Sequence, residues 1–405
     1  MDIGPIWRAL MRNKTSYILI AVQIAVTMAI LVNAIAIVQE RTRLMGRSSG
    51  VDEENLFYLN SVGFDPEADY QVVVERDLDA IRQFPGVASA VVTNTVPLQG
   101  GGWSQELQVE PGEDSDTLGT AIYFVDEHGI DTFGVSLVAG HNFSPADVAW
   151  FDPDSGRMWP PVAIITSAFA RSLFPELPLA EVVGKTVYID SSIPVQVVGI
   201  IDRMQAAWKS WNFIEHTTLV PQKRGAQAAR YVIRAEPGQR DRLIPEIETM
   251  LANADRSRII RGTKTMSEVR EEAYLEDRAM IRLLVFIATV LTAITALGIV
   301  GLASFSVARR TRQIGTRRAL GATRPAILRY FMLENFLIST VGVVGGAVLA
   351  VGLNLWMVEA FSLTPLAWYV IPAAMLVLWL VGQLAVLGPA RRASRVSPAI
   401  ATRTI

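Results

Sequence analysis

Few residues in this chain are placed to do covalent chemistry. Its 405 residues include no cysteine, which excludes thiolate nucleophiles and disulfide staples. The three histidines, His128, His141 and His216, lie far apart without metal-ligand spacing, so each reads as a loop or surface residue. Gly184-Lys185-Thr186 matches the end of a phosphate-binding loop. The required earlier glycine position, however, holds Leu179, and the segment precedes a strand instead of opening a helix. No catalytic constellation, metal site or nucleotide site is expected. What remains is ionic: six arginines between Arg309 and Arg324, with no acidic residue among them. Ile314, Arg317, Arg318 and Gly321 recur there at helical spacing, and Thr323 and Pro325 can cap and start a following helix.

The elements that must position this stretch are four apolar runs, at 17–38, 280–307, 328–358 and 367–387. Each reaches the roughly 20 residues needed to cross a bilayer, which explains a mean hydropathy of +0.31. The first run has a rival reading as a signal peptide, with a basic flank and Ala34-Ile35-Ala36 as a cleavage-like site; its length favours a retained span. Outside residues 39–282 the only acidic residues are Asp2, Glu334 and Glu359, so the span 39–282 carries 36 acidic against 23 basic residues. By the positive-inside rule the arginine loop at 308–327 and the tail at 388–405 lie in the cytoplasm with both termini, and the large segment lies outside. Charge asymmetry of this kind marks topology, not nucleic-acid binding. Residues 1–16 read either as an amphipathic helix on the inner membrane surface or as a frayed cationic flank.

The external segment, 51–264, reads as an α+β domain of one or two lobes on a two-helix stalk. Strands fit 56–61, 87–93, 104–109, 120–125, 162–165, 186–189, 195–201, 217–220 and 231–234, with helices at 67–83, 167–174 and 240–253. The stalk helices are expected at 39–50 and 265–279, the second opened by a Thr265–Glu268 capping box. Their charged faces, Arg41, Arg43 and Arg47 against Glu271, Glu272 and Asp277, are expected to pair, with Arg41 level with Asp277 and Arg47 with Glu271. Within the membrane, Gln23 and Thr27 share a face that suits a neighbouring helix, and Glu334 suits an interfacial ion pair. Gly342, Gly345 and Gly346 supply a GxxxG motif, for packing within the chain or between two chains. The spans carry almost no charge, so a solute path through them is not supported.

Arg-Thr-Arg-Gln-Ile-Gly-Thr-Arg-Arg-Ala-Leu-Gly-Ala-Thr-Arg (310–324) closely resembles the loop between the second and third spans of MacB/FtsX-type permeases of ABC transporters. Gly-Pro-Ala-Arg-Arg-Ala-Ser-Arg-Val-Ser-Pro-Ala (388–399) resembles their C-terminal signature. Phe-Gly-Val-Ser-Leu-Val-Ala-Gly-His-Asn-Phe-Ser-Pro-Ala-Asp (133–147) resembles the MacB-type periplasmic core motif, and 169–174 and 197–202 agree with segments that follow it. The resemblance implies a multi-pass protein of the bacterial inner membrane with a periplasmic domain. It implies a coupling helix in which Arg310, Gln313, Ile314, Gly315, Arg317, Arg318, Ala319, Leu320, Gly321 and Ala322 dock on a separate cytoplasmic ATPase.

That ATPase, a dimer, would bind ATP and Mg. A second permease chain, identical or not, and a periplasmic adaptor are the other implied partners besides membrane lipid. Strokes of the ATPase would move the periplasmic domain, a mode called mechanotransmission, to export or extract peptides, antibiotics or lipoproteins. The family usually carries glutamate where this chain has Gln313, which suggests one half of a heterodimer. The ATPase domain that MacB carries at its N-terminus is absent from this sequence. An FtsX-like signalling module that activates a cell-wall hydrolase is the alternative; a static anchor would leave the arginine loop unexplained.

Overall fold

The computed structural model describes residues 14–152, 154, 158–361 and 366–397. The surface helix expected over 1–16 therefore falls, up to residue 13, outside the described residues. The described residues begin with α1 (Lys14–Met45) and continue through β1 (Leu56–Gly63), α2 (Tyr70–Arg82), β2 (Val87–Thr93), β3 (Trp103–Gln108) and β4 (Leu118–Val125). Next come α3 (Gly129–Phe133), β5 (Leu137–Gly140), β6 (Ala149–Trp150), β7 (Val162–Thr166), α4 (Ser167–Leu173), α5 (Leu179–Val182), β8 (Thr186–Ile189) and β9 (Ile193–Ile201). After β10 (Thr217–Lys223) and β11 (Ala228–Ala235) follow α6 (Arg240–Ala254), β12 (Arg258–Thr265) and α7 (Met266–Ala273). Four helices complete the described residues: α8 (Leu275–Arg309), α9 (Thr311–Ala319), α10 (Arg324–Phe361) and α11 (Val370–Ser394). Contacts divide it into two units, Met1–Gly46 with Glu276–Ile405, and Arg47–Leu275.

The second unit has two lobes, each with its own sheet. In the first, the antiparallel order β12-β1-β11-β2 brings together two strand–helix–strand halves, with everything from β3 to β10 inserted between them. Alternation dictates the packing: Phe57 and Leu59, Ala90 and Val92, and Tyr231 and Ile233 turn the same way from their strands. They bury against Val74, Leu78 and Ile81 of α2 and Leu243, Ile247 and Leu251 of α6. Asp69 caps α2 by accepting from the amides of Gln71 and Val72.

One ion pair lies inside this lobe. Arg258 and Asp77 bond directly, with side chains 2% and 1% exposed. Tyr231 donates its hydroxyl to the same carboxylate at 2.9 Å, and Arg258 Nε and Nη2 donate to the Leu251 carbonyl at 3.1 and 2.6 Å. Removing one member of such a pair leaves the other charge buried, at a cost of about 3–5 kcal/mol. Arg258→Ala should show this loss in denaturant unfolding followed by tryptophan fluorescence; a change under about 1 kcal/mol would contradict it.

The second lobe is a barrel. Its pairings run β4-β3-β8-β9-β7-β10 and return to β4, so six strands close on themselves, while β5 joins β9 and β6 joins β10. Closure leaves no edge on the ring where pairing is complete. Leu107, Ile122, Phe124, Val187, Val195, Val197 and Val220 form its core with Phe169 and Leu173 of α4.

His216 lies in the loop just before β10, as expected of a loop or surface histidine, but it is not at the surface. It is buried, between the rings of Phe169 and Phe213 at centroid distances of 4.9 and 5.0 Å. Its Nδ1 lies 3.2 Å from the Gly119 carbonyl and its Nε2 lies 3.0 Å from Ser172 Oγ. Burial lowers its pKa from the usual 6.5, because the charged ring would lose solvation. The unfolded chain then binds the proton first. Stability from this group is complete above about pH 6.5 and falls as pH drops through the lowered value. His216→Gln should make the denaturation midpoint fall less than in the unaltered chain between about pH 7 and pH 5. An equal fall in both would show that His216 is not responsible.

Candidate functional site

Four helices, α1, α8, α10 and α11, are long and apolar enough to cross a membrane, and a short cationic helix, α9, joins the second to the third. α1 is the packing centre, burying Ile24, Met28 and Val32 completely or nearly so. A Cβ on Gly342 would sit 2.7 Å from Ile24 Cβ and 2.8 Å from the Ala21 carbonyl oxygen. On Gly346 it would sit 2.5 Å from Met28 Cβ and 2.7 Å from the Ala25 carbonyl oxygen. These two glycines thus let α10 lie against α1 within one chain. Gly345 is different: nothing comes nearer its Cβ position than Ala25 Cβ at 4.0 Å, so it takes no part in the close crossing. Thr27 and Thr295 share a hydrogen bond of 2.8 Å between α1 and α8, and Gln23 lies against Gly298 of α8 one turn away.

α9 exists because the chain breaks at Arg310 (φ −103°, ψ 9°) and again after Leu320. The second break is a Schellman turn. The Ala322 amide donates to the Arg317 carbonyl at 3.0 Å and the Gly321 amide to the Arg318 carbonyl at 3.1 Å. Gly321 sits at φ +95°, where a side chain would be strained. Thr323 then accepts from the Ala326 amide at the start of α10.

The side chains of α9 divide between an inner and an outer set. Ile314 and Gly315 are buried; Ile314 packs with Ile327, Phe331, Ala390 and Ala393. The expectation that this pair faces a partner is therefore corrected: they hold the helix to its own chain. Arg310 also turns inward, to Glu334, and Arg318 Nη1 donates to the Val396 carbonyl at 2.7 Å. Outward face Arg312, Gln313, Thr316, Arg317, Ala319, Leu320 and Gly321, while Ala322 is half-buried. Leu320 is 84% exposed, an apolar tip in a basic surround.

Of the charged stalk residues, one expected pair is brought together: Arg41 Nη1 lies 2.8 Å from Asp277 Oδ1. Arg43 bonds Glu40 of its own helix at 2.8 Å, and Glu272 bonds Lys264 at 2.5 Å. Arg47 does not meet Glu271, which is exposed. Instead Arg270 pairs with Glu53 at 2.7 Å and donates to the Arg47 carbonyl at 2.8 Å. The register differs because the second stalk helix is not continuous. α7 opens with the Thr265–Glu268 capping box but ends at Ala273, and Tyr274 (φ −103°, ψ 14°) separates it from α8. Among the described residues no group of acidic or histidine side chains could hold a metal.

In the sequence Glu334 suits an ion pair, whereas Tyr17 reads only as the start of a span. Tyr17 donates to Glu334 Oε1 at 2.8 Å. A tyrosine at the polar end of an apolar run was the available signal.

Two family models match this arrangement. One, the MacB-like periplasmic core domain, covers residues 17–250; the other, FtsX-like permease C-terminal, covers 285–398. The chain belongs to the MacB/FtsX-like permease family. This permease is 25% identical over 408 residues to the macrolide export ATP-binding/permease protein MacB of Escherichia coli K12, an alignment with 97% of the chain and 59% of that relative. The namesake from Chromobacterium violaceum is 26% identical over 275 residues, covering 65% and 40%. The chain thus spans about three-fifths or less of the length of these relatives. Among solved structures it is similar to the extracellular domain of the noncanonic ABC-type transporter YknZ from Gram-positive bacteria, at 14% identity and a TM-score of 0.32, covering 51% of this chain and all of that one. A domain of a Porphyromonas gingivalis permease protein aligns at 16% identity and a TM-score of 0.30, covering 53% and 91%. Family and hydropathy together make the permease a membrane protein with an extracellular α/β domain.

Proposed function

We propose that the permease is the transmembrane subunit of an ABC transporter and works by mechanotransmission. A separate ATPase, as a dimer, docks on α9 in the cytoplasm, and its ATP-driven closure moves the external domain. The observation that carries this reading is the outer set of α9: Leu320 projecting from a nine-residue helix whose inner residues, Ile314 and Gly315, are packed away. A helix this short is unstable alone, so the chain uses buried packing and a glycine turn to hold one apolar tip outward. Such a tip with a cationic surround suits a groove with an acidic rim. Arginines on this loop and on the tail favour both termini inside, and the bacterial relatives favour an inner membrane.

Peptides, antibiotics or lipoproteins handled at the periplasmic side are the substrate classes, with a second permease chain, homo- or heterodimeric, completing the transporter. In this reading ATP with Mg is bound and hydrolysed by the partner. Co-expression with candidate ABC ATPases and purification through the permease tests the assignment. A stoichiometric complex whose ATPase rate depends on the permease is expected; no complex with any ATPase encoded beside it would overturn the reading.

A further inference from the structure

Where α8 gives way to α9, a closed triangle of side chains joins three helices. Arg310 Nη1 lies 3.1 and 3.2 Å from the two oxygens of Glu334, Tyr17 donates to Glu334 Oε1 at 2.8 Å, and Arg310 Nη2 donates to the Tyr17 hydroxyl oxygen at 3.1 Å. Each member bonds both others. The side chains of Arg310 and Glu334 are 16% and 6% exposed, so the cluster is shielded from water. Stability alone is a poor reason for such a cluster, because apolar residues of similar volume often hold a buried site as well or better. A bonded triangle does something that apolar packing does poorly: it selects one geometry and makes departures from it costly.

The geometry selected is that of the break between α8 and α9. Arg310 is the residue at which the backbone leaves helical geometry, and it is the one that Glu334 and Tyr17 hold. Tyr17 belongs to α1, a helix of 32 residues that runs without a break from Lys14 to Met45. The same helix carries the close crossing with Gly342 and Gly346 and, near its far end, the bond from Arg41 to Asp277.

We propose that Tyr17, Glu334 and Arg310 form a latch that fixes the direction of α9 relative to α1. Force on α9 is then delivered to the α1 rod and is not absorbed by bending at Arg310. The source of that force rests on the docking reading above, whereas the latch is a property of this chain alone. Tyr17 and Glu334 are positioning residues in this scheme.

The chain lacks cysteine, so a pair introduced at the exposed positions Thr15 and Thr316 would carry the only spin labels. Pulsed dipolar spectroscopy on the full chain in lipid nanodiscs, without any ATPase, reads the distance between α1 and α9. A single narrow distribution is expected for the otherwise unaltered chain, and loss of that narrow peak in Tyr17→Phe and in Glu334→Gln. A narrow, unshifted distribution in both variants would overturn the latch. If Glu334→Gln did not fold, Tyr17→Phe, which removes one hydroxyl, would decide alone. Because no partner is present, failure here leaves the docking reading standing, and failure of docking leaves this result untouched.

Discussion

Gly346→Leu should abolish correct assembly of the membrane helices, while Gly345→Leu, one residue away, should leave it nearly unchanged. At Gly346 even a Cβ would meet Met28 Cβ at 2.5 Å and the Ala25 carbonyl oxygen at 2.7 Å. One of these is backbone, which cannot rotate aside as a flexible side chain would, so α1 and α10 must separate. Separation would break the neighbouring contact at Gly342 and pull Asn33 from the Ala350 carbonyl, which it bonds at 3.3 Å. Overpacking a core costs typically 1–3 kcal/mol where neighbours can shift; with backbone on the far side, about 3 kcal/mol or more is expected. Yield of monodisperse protein in detergent and its melting temperature measure the effect. Equal behaviour of the two leucine variants would show that the α1–α10 crossing is not tight at Gly346.

If an ATPase docks on α9 as proposed, Leu320→Glu should uncouple the permease from it and leave the membrane fold intact. The side chain is 84% exposed, so its replacement removes no packing within the chain. An apolar anchor at an interface is commonly worth about 2 kcal/mol or more, or roughly thirtyfold in affinity. Ile314→Glu supplies the contrast, since Ile314 is 4% exposed and its replacement should lower the melting temperature first. Equilibrium binding of the ATPase to nanodisc-held permease, read beside thermal unfolding, separates these outcomes. Undiminished ATPase binding by the Leu320 variant would remove Leu320 from the docking surface.

The membrane helices were legible because hydropathy is a property of composition: a run of some 20 apolar residues has few alternatives to spanning a bilayer. Short apolar runs bounded by turn residues, such as those in Leu56–Gly63 and Val87–Thr93, are legible for the same kind of reason, as strands buried on both faces. Arg258–Thr265 was not read as a strand. It carries Arg258, Arg261 and Lys264, and it is an edge strand, where charge is tolerated and protects against further pairing. Closure of the barrel was equally hidden, since it rests on pairings between strands as distant as Leu118–Val125 and Thr217–Lys223. Within α9, spacing gave the helix but not which of its faces is buried. Ile314 reads as available in the sequence, but Ile327, Phe331, Ala390 and Ala393 cover it, and those residues come from two later helices. The stalk erred for a local reason, the break at Tyr274, which no proline or glycine announces.

A photo-crosslinking residue at position 320 tests the proposed docking of an ATPase on α9 most directly. Permease carrying it, co-expressed with a candidate ATPase in native membranes, should form a covalent adduct that mass spectrometry identifies as that ATPase. The same residue at Leu297, 69% exposed and in mid-span, should form none. An adduct from position 297 but not from 320, or none from 320 in a complex that purifies intact, would contradict the account.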